Sequence, residues 1–421
     1  MTLTAGNAAD LHSQTVSDGD RGSEVEPALD DVARPAGWAG SGGLAEDSEL
    51  LRAVAAEARR GLVERELLVE TVMLCAVAGE HLLVVGPPGT AKSQAVRRVA
   101  SGLGGQYFEY LVGRFTEPNE VFGPVDLRRL RDGVVEIETA GMLPEAEIAF
   151  LDEVFLGSTA ILNTLLSILN ERTFRRGSTV MACPLRVCVG ATNVLPEDPA
   201  LAAFADRFLA RVFVEPVADS RLEEMFEVGW AGGVPSSRRA TDVLAAVDRL
   251  SAAARSCDLR PVHSLLATAV RRLRASGVQL SDRRVVRAQG LVASAAVLDG
   301  RVTATAADLW VLPLVVPTSD AQADAQEALA DLMKEARSAT LPCAAEELSR
   351  GIRARAERLT GTAEELLAGL EDTESGVVRV EDDDRLRIEA TLREIDACFA
   401  EDALPEALAQ VRGRLVAAVR G

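Results

Sequence analysis

The chain has 421 residues, of which 48% are hydrophobic and 26% are charged, and its formal net charge is -19. This length exceeds what one ordinary hydrophobic core can hold, so the composition predicts a soluble, globular protein of two or three domains. The negative charge opposes the basic field that nonspecific nucleic-acid binding or attachment to anionic lipid requires.

Cysteine, histidine and apolar patterns exclude further classes. The six cysteines form no Cys-x-x-Cys pair, and with only three histidines the chain indicates neither a zinc site nor a disulfide framework. The opening MTLTAGNAADLHSQTVSDGD lacks the basic start and apolar core of a signal peptide. No stretch reaches the roughly 18 uninterrupted apolar residues of a membrane span. These features predict a cytoplasmic protein.

The first elements lead to a glycine-rich turn. Residues 1–46 are rich in Gly, Ala, Ser, Asp and Glu without a hydrophobic period, which predicts a disordered acidic leader. Apolar residues then recur at helical spacing, and Gly61 divides two predicted helices. The run HLLVV predicts a buried parallel strand that ends in the sequence GPPGTAKS.

Strands alternate with helices up to about residue 217. QYFEYLVGRF, IAFLDE, LRVCVGATN and ARVFVEP predict strands, and TAILNTLLSILNERTF predicts an amphipathic helix. The turn at Arg131-Asp132-Gly133 predicts a hairpin. This alternation is typical of an α/β fold with a doubly wound parallel sheet and helices on both faces.

Beyond Pro216 only helical patterns remain. We expect an α/β domain over residues 47–217, a helical domain over 218–317 and an extra helical C-terminal region over 318–421.

The turn GPPGTAKS matches the phosphate-binding pattern Gly-x-x-x-x-Gly-Lys-Ser/Thr, except that the second glycine is Ala91. In such a loop, backbone N–H groups and the following helix N-terminus converge on phosphate oxygens. The lysine adds a mobile charge and the hydroxyl coordinates Mg²⁺. The residues predicted to bind the nucleotide are Gly86, Pro87, Pro88, Gly89, Thr90, Ala91, Lys92 and Ser93.

Alanine is tolerable before the lysine if that position already belongs to the helix, where alanine is at least as favourable as glycine. We therefore predict that Ala91 has helical backbone geometry and that the loop still binds phosphate.

Polar residues follow two later strands. Asp152 and Glu153 end the strand IAFLDE, at the edge where open α/β sheets bind ligands. Asp152 is predicted to hold Mg²⁺ through its water shell, and Glu153 to polarise the attacking water. Asn193 ends VGATN and is predicted to hydrogen-bond the water or the γ-phosphate, although an asparagine there can also serve only as a turn former.

Two pairs of arginines are candidate phosphate ligands, because arginine offers bidentate contacts and stays charged. Arg207 and Arg211 lie in LAAFADRFLAR, and Arg283 and Arg284 lie in SDRRVV. Surface salt bridges are the alternative role for each.

The ordered motifs GPPGTAKS, FLDE, GATN, DRF and SDRR resemble those of AAA+ ATPases, and more narrowly those of the MoxR family. Phrases such as GEHLLVVGPPGTAKS, LPEAEIAFLDE and ATNVLPEDPALAAFADRF are similar to its RavA branch. The similarity covers roughly residues 48 to 315.

The resemblance implies a homo-oligomeric ring, usually hexameric, that binds ATP and Mg²⁺ between subunits. Lys92, Ser93, Asp152, Glu153 and Asn193 would act within one subunit as Walker A, Walker B and sensor 1.

Within the same resemblance, Arg207 would be the arginine finger that reaches a neighbour's site, and Arg283 would be sensor 2 of the helical lid. Arg211 and Arg284 are the alternatives for these two roles. The family also implies a partner protein with a von Willebrand factor A (vWA) domain.

Two segments resemble inserts of this clade: residues 123–141 its helix-2 insert and residues 172–188 its pre-sensor hairpin. Both would face the ring channel or a partner. Arg128, Arg129 and Arg131 would then contact a substrate, or else form a solvated edge. The last hundred or so residues do not match the insertion domain of RavA.

Two other functions remain open from the sequence. A DNA translocase belongs to the same clade, but the acidic charge opposes it. A nonhydrolysing scaffold would use the nucleotide only to hold the ring together, which the intact Asp152-Glu153 pair disfavours.

Overall fold

The structure is a computed structural model that describes residues 41–231, 241–371, 382–399 and 404–420. The predicted acidic leader lies outside the described residues up to residue 40. Residues 41–46 belong instead to the first helix, Ser41–Arg59, so the prediction of disorder is wrong for them. Leu44 explains the difference, because it is buried in the main hydrophobic core.

The strands in the described residues form two sheets. Five of them make a parallel sheet with the order β2-β3-β6-β1-β7, and β4 pairs with β5 in an antiparallel hairpin. The strands are β1 Leu82–Val85, β2 Tyr107–Leu111, β3 Ile148–Asp152, β4 Thr173–Arg176, β5 Thr179–Ala182, β6 Val187–Thr192 and β7 Ala210–Phe213.

Sixteen α-helices lie in the described residues. They are α1 Ser41–Arg59, α2 Glu66–Ala78, α3 Lys92–Leu103, α4 Pro118–Phe122, α5 Leu127–Arg131, α6 Thr159–Glu171, α7 Pro199–Ala205, α8 Leu222–Ala231, α9 Thr241–Arg255, α10 His263–Ala275, α11 Asp282–Leu298, α12 Ser319–Leu329, α13 Pro342–Arg350, α14 Ile352–Glu371, α15 Asp382–Cys398 and α16 Glu406–Arg420. None of these helices is both long and apolar enough to cross a bilayer.

The parallel sheet is covered on both faces, which confirms the predicted α/β class. Successive residues of a strand point to opposite faces. Accordingly, Leu82 and Val84 of β1 pack into one hydrophobic cluster with α3, whereas Leu83 and Val85 pack into another with α6. All four residues are buried, as the unbroken apolar run predicts.

The predicted hairpin around Arg131-Asp132-Gly133 is wrong, because neither side of this turn forms a strand. The short helix α5 takes the place of a strand, because Asp126 caps it by accepting a hydrogen bond of 2.7 Å from the backbone N–H of Arg128. Only one antiparallel bridge, between Val125 and Ile137, joins the two sides. The segment 172–188, by contrast, contains the β4–β5 hairpin.

The helices beyond residue 217 share a core with the α/β part. Helix α9 packs on α1, and both α11 and α13 pack on α2. Helices α14, α15 and α16 surround a separate cluster that includes the buried Leu359, Ile388 and Leu408. The expected boundary at 217 therefore marks the end of the strands but not a break in the core, and the three-domain division stays a prediction.

Candidate nucleotide-binding site

The glycine-rich turn follows the end of β1, which lies between β6 and β7 in the sheet. Gly86 donates a backbone hydrogen bond of 3.1 Å to the carbonyl of Thr192 at the end of β6. A Cβ atom at Gly86 would lie 2.1 Å from the carbonyl oxygen of Val214, so only glycine fits between these strands. The neighbouring strands thus fix where the loop begins.

The lysine of the loop holds the turn closed from inside. Lys92 Nζ donates hydrogen bonds of 2.6 Å to the carbonyl of Gly86 and 2.8 Å to that of Pro87. Thr90 Oγ1 donates a further bond of 2.8 Å to Pro87. The ammonium group therefore lies within the curve of the loop, where an anion entering the turn would meet it.

The prediction that Ala91 has a helical backbone is wrong. Its backbone lies in the left-handed region, with φ of 57° and ψ of 23°, and it precedes the helix as the N-cap of α3. A Cβ disfavours this conformation by about 1–2 kcal/mol. Alanine is thus tolerated here at a cost, and other contacts must hold the turn.

Arg65, which is not among the residues predicted for the site, makes one such contact. The side chain is buried, and its Nε donates a hydrogen bond of 2.8 Å to the carbonyl of Thr90. The position lies 25 residues before Thr90 in the chain, and no motif marks it. The sequence shows only an arginine next to a helix start, and its burial is known from the structure alone.

The two predicted catalytic strands are neighbours in the sheet. β3 ends at Asp152 and pairs with β6, which ends just before Asn193. Asn193 Nδ2 donates a hydrogen bond of 2.6 Å to Glu153 Oε1. Glu153 has a left-handed backbone with φ of 51°, which turns the chain sharply after Asp152. The fold thus brings together two residues that lie 40 positions apart.

Lys92 and the two carboxylates share one electrostatic environment. Burial lowers the pKa of Lys92, and the nearby carboxylates of Asp152 and Glu153 counteract this effect. Burial, followed by the charge of Asp152, raises the pKa of Glu153, and Lys92 lowers it. A carboxylate with a raised pKa is a better proton acceptor, which suits the predicted role of Glu153.

The residues present also fit Mg²⁺. Among the described residues no group of three or more His, Cys, Asp or Glu side chains could hold a metal ion. Mg²⁺ is usually bound through one or two protein oxygens, with water and substrate phosphates completing the shell. Ser93 in the first turn of α3 and Asp152 at the end of β3 are two side chains near Lys92 that can supply such oxygens.

Arg207 lies at the amino edge of the sheet, where the parallel strands begin, and the phosphate loop lies at the opposite edge, where they end. Arg207 lies three positions before Ala210, the first residue of β7, which pairs with Leu82 at the start of β1. The four residues of β1 separate this edge from the loop by roughly 13 Å, at about 3.3 Å per residue. Its Nε is buried without a hydrogen-bond partner among the described residues.

Arg283, the predicted sensor 2, lies at this same amino edge and away from the phosphate loop of its own chain. Arg283 Nη2 donates a hydrogen bond of 2.6 Å to Asn170 Oδ1. The adjacent Leu169 carbonyl lies 3.0 Å from Nε2 of His81, the residue before β1. Burial lowers the pKa of Arg283, and the charge of the nearby Arg207 lowers it further.

The alternative arginines are structural. Arg284 is 3% exposed and donates to the carbonyls of Val315 and Leu209 and to the carboxylate of Asp206. Arg211 is 6% exposed and donates to the carbonyls of Pro317 and Ala205. Neither guanidinium is accessible to a nucleotide.

This sheet order, with a phosphate loop after the interior strand β1, polar residues after the adjacent strands β3 and β6 and a helical part after β7, defines an AAA+ P-loop protein. Over residues 49–252 the chain matches the family model of the MoxR domain in the MoxR-vWA-beta-propeller ternary systems. It is 33% identical over 277 residues to an uncharacterized protein of Methanocaldococcus jannaschii, covering 64% of this chain and 70% of that protein. The chain belongs to the MoxR family of AAA+ ATPases.

Two further similarities agree with this assignment. The chain is 27% identical to the chaperone MoxR1 of Mycobacterium tuberculosis over 45% of this chain and 51% of that protein. Its fold matches the crystal structure of a protein from Cytophaga hutchinsonii provisionally named an ATPase. That match has a TM-score of 0.56 at 14% identity, over 70% of this chain and 97% of the other, and concerns the fold alone.

Proposed function

We propose that this protein binds and hydrolyses Mg-ATP between the subunits of a ring and uses the cycle to remodel or mature a partner protein. The observation that carries the proposal is the hydrogen bond of 2.6 Å between Asn193 and Glu153, next to the lysine of the phosphate loop. A scaffold that never hydrolysed nucleotide would not need a positioned carboxylate with a raised pKa at this place.

Each residue has a role in this proposal. Lys92 leaves the loop carbonyls and binds phosphate oxygens, and the loop N–H groups bind the same oxygens. Ser93 and Asp152 would hold Mg²⁺, which when bound neutralises charge on the phosphates. Glu153 orients the attacking water and accepts its proton, and Asn193 fixes the direction of the Glu153 carboxylate.

The amino edge supports a shared site. Arg207 and Arg283 lie together at the edge that faces away from their own phosphate loop, and in this proposal they act on another subunit's nucleotide. A head-to-tail contact that repeats this arrangement forms a ring when the rotation between subunits closes, and a filament when it does not. A finger supplied by a neighbour contributes roughly 10³ to 10⁵ in rate. The hexameric ring size is carried by the family resemblance.

We further propose that the partner contains a vWA domain, since the matching family model is described by MoxR-vWA-beta-propeller systems. Its contact would lie on the joined unit of α5 and the β4–β5 hairpin, where the backbone N–H of Ser178 donates to the carbonyl of Val135 at 2.9 Å. Leu127 is 70% and Val180 66% exposed on this unit. The RavA-like branch and a cytoplasmic location stay predictions from the sequence.

The test is phosphate release per subunit over a dilution series, with ATP and Mg²⁺ and with the assembly state followed by light scattering. The rate per subunit should fall as the assembly dissociates, because the finger is lost. A rate that stays constant through dissociation would refute the shared site. Equal, negligible release by wild type and Glu153→Gln, with normal ATP binding, would favour the scaffold.

A further inference from the structure

Arg65 joins three backbone segments at the phosphate loop. It is the N-cap residue of α2 and is only 4% exposed. Its Nε donates to the carbonyl of Thr90 and its Nη2 to that of Glu215, both at 2.8 Å, while Nη1 donates to the carbonyl of Glu64. The guanidinium therefore connects the loop to the chain that leaves β7.

The charge of this buried group is compensated by carbonyl dipoles. No carboxylate of the described residues forms an ion pair with Arg65, and burial lowers its pKa while the charges of Glu64 and Glu66 oppose that effect. Burying an arginine without an ion pair costs folding free energy. A neutral residue would therefore give a more stable fold here unless the contacts of Arg65 are needed. Its charge also lowers the pKa of Lys92, so the two cations lie near each other.

The contact with Thr90 lies at the peptide group that also sets the φ angle of Ala91. The peptide group between these residues is planar, so the Thr90 carbonyl and the Ala91 N–H rotate together. A flip of this peptide would release Ala91 from its left-handed φ of 57°, which its Cβ disfavours. The hydrogen bond from Arg65 Nε to the Thr90 carbonyl opposes that flip.

We infer that Arg65 is a positioning residue that holds the Thr90–Ala91 peptide in the phosphate-binding orientation, a constraint needed because Ala91 stands where the motif has glycine. The inference rests on the proposed binding of nucleotide by this loop. Arg65 acts through the loop backbone and not by contact with the reacting atoms.

The test is a double-mutant cycle between Arg65→Gln and Ala91→Gly, read by calorimetric titration of the full-length protein with ADP and Mg²⁺. Loss of a charged hydrogen bond should weaken ADP binding by about 10- to 100-fold in Arg65→Gln. Ala91→Gly alone should change affinity less than about threefold, because glycine adopts the same φ freely. The double variant should bind ADP at least about fivefold more tightly than Arg65→Gln alone, since the constraint on residue 91 is no longer needed.

Arg211→Gln is the matched control, because Arg211 is also a buried arginine that donates to backbone carbonyls, at Ala205 and Pro317. Arg211→Gln and Ala91→Gly should act independently, so their fold-changes in ADP affinity should multiply. The same four variants of the cycle are compared by thermal melting without nucleotide, where Ala91→Gly should raise the melting temperature more in the Arg65→Gln background.

The outcomes separate the two proposals. Effects of Arg65→Gln and Ala91→Gly that multiply in both binding and melting overturn the inference and leave the proposed function intact. A wild type that binds no ADP overturns the proposed function, and the melting cycle then still shows whether Arg65 constrains Ala91. If Arg65→Gln does not fold, the cycle is repeated with Arg65→Lys, which keeps the charge but loses the fork geometry.

Discussion

Arg283 donates a hydrogen bond of 2.6 Å to Asn170 at the amino edge of the sheet, across the strands from Lys92. This contact separates the arginine from the nucleotide site of its own chain. In the proposed ring, an arginine at that edge would act on the site of a neighbouring subunit.

Mixing inactive variants tests whether the two arginines act on a neighbour. Arg207→Ala and Lys92→Ala should each lose nearly all ATPase activity. In a 1:1 mixture, a site is intact when its own lysine and the neighbour's arginine are both present, so about a quarter of wild-type activity should return. Phosphate release from reassembled mixtures is the measurement.

The same mixing with Arg283→Ala distinguishes the two possible roles of that residue. If it acts on a neighbour, as its contact with Asn170 indicates, mixing with Lys92→Ala restores activity in the same way. If it acted on its own subunit, every mixed site would lack one group and no activity would return. Arg97→Ala serves as the control for loss of a surface arginine, because Arg97 pairs with Glu109 on the outside of α3.

Loss of the Asn193 amide should lower the rate more than the affinity. Asn193→Ala removes the hydrogen bond of 2.6 Å that orients Glu153, so kcat should fall by about 10- to 100-fold with little change in KM. Steady-state ATP hydrolysis measures both constants. A rise in KM with unchanged kcat would show that Asn193 binds the nucleotide and does not position the base.

Gly86→Ala should be strongly destabilising. The new Cβ would lie 2.1 Å from the carbonyl oxygen of Val214, which belongs to backbone and cannot move aside cheaply. We expect a loss of at least about 3 kcal/mol in the free energy of unfolding, or failure to fold. Gly290→Ala in α11 is the matched control, since open space surrounds it and alanine should stabilise the helix by up to about 1 kcal/mol. Urea unfolding compares the two, and equal effects would contradict the close approach.

Stability should depend on pH through Glu70, which is fully buried in α2. Its carboxylate pairs with Arg59 and accepts a hydrogen bond of 2.7 Å from the backbone N–H of Ala344 at the start of α13. Burial nevertheless raises the pKa of Glu70 to about 7 from its ordinary 4.5. The folded protein therefore holds a proton that the unfolded chain releases between these two values.

Because the folded-state pKa is the higher one, the contribution of Glu70 to stability is complete below about pH 4.5 and is lost as the pH rises through about 7. The loss is at most about 1.4 kcal/mol per pH unit in that window. Glu70→Gln lacks this titration. The unfolding free energy of the wild type should therefore fall relative to that of the variant between pH 5 and 8. A difference that is constant over this range would show that Arg59 keeps Glu70 charged.

Several features were predictable because their signals are local in the chain. An unbroken apolar run followed by GPPGTAKS predicts a strand, a phosphate loop and a helix, and all three are present at β1 and α3. Asp152, Glu153 and Asn193 directly follow apolar strands, and parallel strands place such residues at one edge. The class of fold follows from these patterns, and so does the part of the candidate site that lies within one chain.

Other features depend on contacts between distant segments, and only the tertiary structure decided them. The left-handed turn at Ala91 is held by Arg65, 26 positions earlier, and the edge at which Arg283 lies is set by packing against the end of α6, 113 positions away. The burial of Arg211 and Arg284 likewise follows from carbonyls supplied near residue 316. An arginine's chemistry is the same at all these positions, so its role is fixed by what the fold places around its guanidinium and not by its place in the sequence.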